Sequence, residues 1–202
     1  MRKAFTLAAA LAIAVTGADG QTLASAPGAS GRITVSGGST VRSWSCDVTQ
    51  FQATLRTEPG SAAAVADLPE GRQRVAVVIP VAQMDCRNGT MNEHMRNALE
   101  AEDHPEIRYE LTGYQVVNGA VRATGDLTIA GETKPVTMDV QVDPRSGGVR
   151  VQGETALRMT EFGVRPPRLM LGTLKVHDEI TVSFDVLIGH SALALALNGA
   201  AR

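Results

Sequence analysis

Residues Gly125 to Val142 read GDLTIAGETKPVTMDVQV. Leu127 and Ile129 fall on one face. After Gly131-Glu132-Thr133-Lys134-Pro135 the positions Val136, Met138, Val140 and Val142 continue that face, while Thr137, Asp139 and Gln141 point the other way. Period-two alternation of this kind marks antiparallel strands with one dry and one wet face. The polar pentapeptide reads as the turn, with Pro135 at the first position of the second strand, where its missing N–H costs least. The stretch predicts a half-buried hairpin.

The same pattern recurs on both sides. Strand-like runs cover Arg32 to Ser36, Val41 to Leu55, Gln73 to Val81, Ile107 to Val117, Ala120 to Ala130, Val136 to Val142, Val149 to Met159 and Glu179 to Ile188. Turn chemistry such as Asn118-Gly119 and Ser146-Gly147-Gly148 separates them. Val75, Val77, Ile79 and Val81 share one face, as do Ile107, Tyr109 and Leu111, and Ile180, Val182, Phe184, Val186 and Ile188 form another stripe. Many strands, short turns and little helix predict an all-β sandwich or closed barrel.

One helix interrupts the strands. Thr90-Met91-Asn92-Glu93 fits a capping box, and Met91, Met95, Ala98 and Leu99 follow at helical spacing. Asp103-His104-Pro105 ends it, because proline disfavours helical geometry in the residue before it. Core packing is the plainer reading of the Met stripe. A lid over a ligand is the sharper one, since methionine is flexible and polarisable.

The first residues read as an address. Arg2 and Lys3 precede an apolar run from Leu7 to Val15, which is shorter than the ~20 residues a bilayer span needs. Residues 1–18 are expected to be a secretory signal, with Ala24-Ser25-Ala26 a later cleavage site, and 19–30 a flexible leader. The expected location is the periplasm, or outside the cell. Loss of Arg2 and Lys3 takes the formal net charge from −2 to −4, and no basic run is present, so nucleic acid is not an expected partner. Cys46 and Cys86 are the only cysteines. In an oxidising compartment such a pair reads as one disulfide, worth roughly 4 kcal/mol in the chain-entropy picture. Two free thiols or half of a metal site are the alternatives, the latter weakened by the absence of Cys-x-x-Cys.

No catalytic pattern emerges. His94, His104, His177 and His190 share no metal-ligand spacing, and Asn97 breaks the H-E-x-x-H that Glu93-His94 would begin. Neither a nucleophile elbow nor a phosphate-cradling loop is present. Asp103-His104 and His177-Asp178 are the only pairs on which an enzyme reading would rest. Beyond the leader the aromatics are Trp44, Phe51, Tyr109, Tyr114, Phe162 and Phe184. So few rings favour a hollow, aliphatic barrel interior over a plugged one.

Three segments together resemble the YceI-like family of exported, lipid-binding proteins. They are Asn92-Glu93-His94-Met95-Arg96 with Asp103-His104-Pro105-Glu106-Ile107, the hairpin quoted above, and Thr160-Glu161-Phe162-Gly163-Val164. The resemblance runs from about Gly31 to Ile188. It implies a lipocalin-like, eight-stranded antiparallel β-barrel over 31–189, with a short helix near one opening and 190–202 as a tail. It also implies an isoprenoid held along the bore. The first strands, GRITVSGGSTVRSWSCDV, depart from the family pattern in carrying Trp44 and Cys46.

These readings converge on a binding protein without cofactor or metal, which sequesters or carries a polyprenyl phosphate or quinone-type lipid. Transient contact with a membrane or membrane protein would accompany that role. Val77, Ile79, Ile107, Tyr109, Leu111, Leu127, Ile129, Met138, Val140, Val182 and Phe184 are expected to line the bore. Met91, Met95, Leu99, Phe162, Arg165 and Arg168 are expected at the mouth, the arginines facing an anionic head. The competing expectation is a filled barrel that acts through its surface in the envelope stress response.

Overall fold

A computed structural model describes residues 29–57, 73–117, 120–145, 148–169, 171 and 173–189. The expected signal, most of the leader and the tail at 190–202 lie outside them.

Strands β1 (Ala29–Ser39), β2 (Ser43–Val48), β3 (Gln52–Thr57), β4 (Gln73–Pro80) and the short β5 (Met84–Asp85) precede helix α1 (Gly89–Ala98). Then come β6 (Glu106–Val117), β7 (Ala120–Ile129), β8 (Glu132–Arg145), β9 (Gly148–Arg158), the two-residue β10 (Arg168–Leu169) and β11 (Leu174–Gly189). Single 3₁₀ turns cover Val81–Gln83 and Met159–Phe162. All pairings are antiparallel, in the order β3-β4-β6-β7-β8-β9-β11-β1-β2-β5, with β10 beside β11.

The ring closes through the chain itself. β1 pairs with β2 and β4 pairs with β3, and β2 and β3 are joined by Thr49, Gln50 and Phe51. The run read as one strand from Val41 to Leu55 is thus one barrel stave broken in the middle. Counted that way, the long staves number eight, the lipocalin-like barrel that the family resemblance implied and one of the two architectures left open by the alternation. β1 begins at Ala29, inside the expected leader, because Ala29 and Ser30 find partners in Ile188 and Leu187.

Two local expectations are corrected. The β7–β8 turn is Ala130-Gly131, with φ of 48° and 79°, and Ile129 already pairs with Glu132. Positive φ at both central residues gives a turn whose twist matches the strands. Glu132 to Pro135 are therefore strand. Pro135 opposes Asp126 in a position where its nitrogen points away from β7, and β8 has no β9 partner before Val140, so no ladder bond is forfeited. The second correction concerns α1. Its cap is Asn88, not Thr90: Asn88 is extended (φ −153°) and its Oδ1 accepts from the Met91 amide at 3.0 Å.

Buried side chains form two clusters. Ile33, Val48, Met84, Val186 and Ile188 make one; Ile129, Leu157, Phe162 and Val164 make the other. Leu99, Ile107 and Val182 pack against both. The second cluster floors the end of the barrel that carries α1, the 130–131 turn and the 159–162 turn, hereafter the capped end. The opposite, hairpin end carries the β6–β7 and β8–β9 connections.

Candidate functional site: an apolar bore with a charged rim

Between the clusters runs a cavity of about 790 Å³. All eleven side chains expected in the bore line it, from Ile107, Ile129 and Val182 near the floor to Val140 farther along. The alternation that placed them is reliable because successive Cβ atoms on a strand must point to opposite faces. The same rule extends to β1 and β2, where Ile33, Val35, Trp44 and Val48 also line the cavity. The signal that could have found them is the alternation in ITV and SWSCDV.

Three aromatic rings lie flat on the wall and leave the bore open. A Cβ at Gly153 would stand 2.6 Å from Phe184 Cζ, one at Gly125 2.5 Å from Tyr109 Cζ, and one at Gly37 2.5 Å from Trp44 Cζ2. Gly153 is the cross-strand partner of Phe184 and Gly37 that of Trp44. Any larger residue at these positions would lift the ring into the lumen. Trp44 Nε1 donates to the Gly38 carbonyl at 3.2 Å. The Tyr109 hydroxyl is buried and, among the described residues, is the only buried side-chain polar atom lacking a hydrogen-bond partner. Burial, with the Asp126 carboxylate adding to it, pushes its pKa up to about 12, so it stays protonated.

Helix α1 closes one side. Met91, His94, Met95, Ala98 and Leu99 face the cavity at spacings of three and four residues, yet no residue of the helix is fully buried. The stripe packs partly on the core, through Met95, Ala98 and Leu99, and otherwise covers space. The segment leading into α1 is fastened to β2. Cys46 and Cys86 form a disulfide, which decides between the alternatives left by the sequence. Arg87 pairs with Asp47 at 2.6 Å, Asn92 Nδ2 donates to Asp85 at 2.9 Å, and the Cys86 amide donates to Asn92 Oδ1 at 2.7 Å. The Thr34 hydroxyl first, and Arg87 second, hold the Asp47 carboxyl below the ordinary value.

The polarity of the lining is one-sided. Its basic side chains are Arg42 and Arg158, with the His94 imidazole, all at the capped end beside Ser39, Asn88 and Thr90, and among the described residues no Asp or Glu lines the cavity. Arg42, Asn88, Thr90 and Arg158 are exposed, so the cavity meets solvent between the start of α1 and the β1–β2 tip. Arg165 and Arg168, expected to face the head group, are exposed and stand outside the lining. Arg168 pairs with Lys175, whose neighbours Leu174 and Val176 face the cavity, so alternation turns the pair outward. Phe162 is 1% exposed; it belongs to the floor and not to the rim. Of the pairs on which an enzyme reading rested, His104 lies over Gly131 and His177 beside Gly38, while Asp178 accepts from Thr160 N and Oγ1 at 2.9 and 2.7 Å. The two pairs are not brought together.

Residues 27–188 match the YceI-like domain family. The chain belongs to that family. It is 28% identical over 120 residues to a UPF0312 protein of Pseudomonas aeruginosa, covering 55% of this chain and 61% of that protein. It is 27% identical over 100 residues to Protein YceI of Escherichia coli O157:H7, covering 46% and 52%. The chain thus spans between half and two thirds of the length of these relatives. Among solved structures, BcnA of Burkholderia cenocepacia superposes with a TM-score of 0.61 at 19% identity, over 76% of this YceI-like chain and 94% of that one. A polyisoprenoid binding domain from Saccharophagus degradans, implicated in plant cell wall breakdown, gives 0.56 at 13% identity, over 79% and 92%. These likenesses establish a shared fold.

Proposed function

We propose that this YceI-like protein is exported and binds one amphipathic isoprenoid lipid, tail in the bore and anionic head at the capped end, as a carrier or sequestering protein and not an enzyme. The observation that carries the reading is the asymmetry of the cavity: apolar along its length, with Arg42, His94 and Arg158 gathered at one end and no carboxylate in its lining among the described residues. Burying a branched hydrocarbon chain gains about 25 cal/mol per Å² of apolar surface, enough over several hundred Å² to offset the ordering of chain and side chains. Guanidinium groups at the rim then favour a phosphate over a hydroxyl or a quinone carbonyl. The polyisoprenoid-binding neighbour supports the ligand class. The open bore speaks against a filled barrel that works through its surface alone.

The test is solvent extraction of protein purified from a bacterial envelope, with mass spectrometry before and after. One isoprenoid per chain is expected. The stripped protein should rebind a polyprenyl phosphate more tightly than the polyprenol of equal length, and Arg158→Glu should narrow that difference. A stripped protein that takes up neither lipid would overturn the reading.

A further inference from the structure

The rim carries a surface that lining the cavity does not explain. Val41 at the β1–β2 tip is 70% exposed, and Leu171, between β10 and β11, is fully exposed. The two tips are tied side by side: Thr40 N donates to the Lys175 carbonyl at 3.0 Å, Thr40 Oγ1 to the Thr173 carbonyl at 3.1 Å, and Lys175 N to Thr40 Oγ1 at 3.2 Å. The two stretches of sequence that carry them hold charge of one sign. Residues 33–46 and 163–177 contain Arg42, Arg165, Arg168 and Lys175 and no Asp or Glu, in a protein whose net charge is −2. None of these four makes an ion pair among the described residues.

We propose that this double-tipped lip docks on an anionic phospholipid surface, Val41 and Leu171 entering the headgroup boundary and Arg165, Arg168 and Lys175 meeting the lipid phosphates. Apolar tips combined with a basic ring are the two signals that reversible membrane attachment needs. The hairpin end supplies the contrast. Val116 and Val117 are exposed there, but Arg122, Arg145 and Arg150 are each paired, with Asp139, Asp143 and Asp185. The lip is also continuous with the cavity: Trp44 from one hairpin and Leu174 and Val176 from the other line it. A lipid tail leaving the bilayer there would pass into the bore along apolar side chains. The docking role rests on the lipid-binding reading above for its purpose, but not for its detection.

The experiment is co-sedimentation of the purified full chain with phosphatidylcholine vesicles, with and without phosphatidylglycerol, at low and high salt. Val41→Asp/Leu171→Asp and Arg168→Glu/Lys175→Glu are compared with the parent, and thermal melts verify folding. Sedimentation with the anionic vesicles, weakened by salt and about tenfold lower in each double variant, is expected. Both variants should still bind a polyprenyl phosphate in vesicle-free solution. A parent that ignores anionic vesicles, one whose sedimentation neither variant changes, or one that crosslinks to a membrane protein but not to lipid, overturns the docking surface. A parent that sediments yet takes up no isoprenoid leaves the surface standing and removes the functional reading instead.

Discussion

The two ends of this barrel are built from the same strands and do different things with charge. At the hairpin end, Arg150 bonds Asp185 at 2.7 Å and Arg122 bonds Asp139 at 2.8 Å across neighbouring strands, and each carboxyl is held below its ordinary range by that arginine first of all. At the capped end, the rim and lip leave Arg42, Arg165, Arg168 and Lys175 without an ion pair among the described residues. Cross-strand pairing uses up charge as sheet stabilisation. Unpaired charge beside an apolar hole remains available to something outside the chain. The difference teaches that the end proposed to receive a ligand is distinguished by unpaired charge and not by the number of charges.

The largest expected effect comes from the floor. Phe162→Ala should cost about 3–5 kcal/mol, because a side chain 1% exposed leaves a cavity that its neighbours cannot fill. Val117→Ala at the hairpin end, on a 40% exposed residue, should stay within about 0.5 kcal/mol. Denaturant melts of both variants check this, and equal losses would erase the contrast between the ends.

A smaller effect is expected from the wall. Gly153→Val must displace Phe184, whose ring would lie 2.6 Å from the new Cβ, at about 1–3 kcal/mol of overpacking. If the ring yields into the lumen, isoprenoid affinity falls about tenfold while the fold persists, since each 1.4 kcal/mol is a factor of ten. Titration with a polyprenyl phosphate decides it. Unchanged affinity would mean that the tail does not pass Phe184.

The smallest effect is the acid sensitivity of the α1 fastening. The folded pKa of Asp47 is lowered from its ordinary 3.8 by Thr34 and Arg87. Its contribution is therefore complete above the unfolded carboxylate pKa and is lost as pH falls through the lower, folded value. Hydrogen exchange of the α1 amides should accelerate in that acid range in the parent, and Asp47→Asn should remove this step. Parallel profiles for the two proteins would refute the role.

Much of the site was legible because alternation is a local property. A strand cannot place Tyr109 and Leu111 inward without placing Glu110 outward, whatever its partners are. The turn was harder to read. Gly131-Glu132-Thr133-Lys134-Pro135 has turn composition, but Thr128 and Thr133 meet across the strands at 2.8 Å, and pairing carries the ladder up to Ala130-Gly131. Alanine at positive φ is a poor local signal, so only the partner strand reveals it. The same holds for the arginines. Arg165 and Arg168 stand out in sequence by their charge in the loop after Phe162, whereas Arg42, at the β1–β2 tip, and Arg158, at the end of β9, reach the cavity from segments distant in the chain.

The sequence by itself determined the antiparallel strands, their dry faces, the amphipathic helix and an even pair of cysteines, all of which follow from periods of two and three to four residues and from parity. Only the tertiary structure decided that the dry faces enclose an unfilled bore, that glycines lie under the aromatic rings, and that the cations collect at one end. Those depend on which residue stands opposite which across strands far apart in the chain, as Gly153 does with Phe184. Local chemistry sets which way a side chain points; distant pairing sets how much space is left when it gets there.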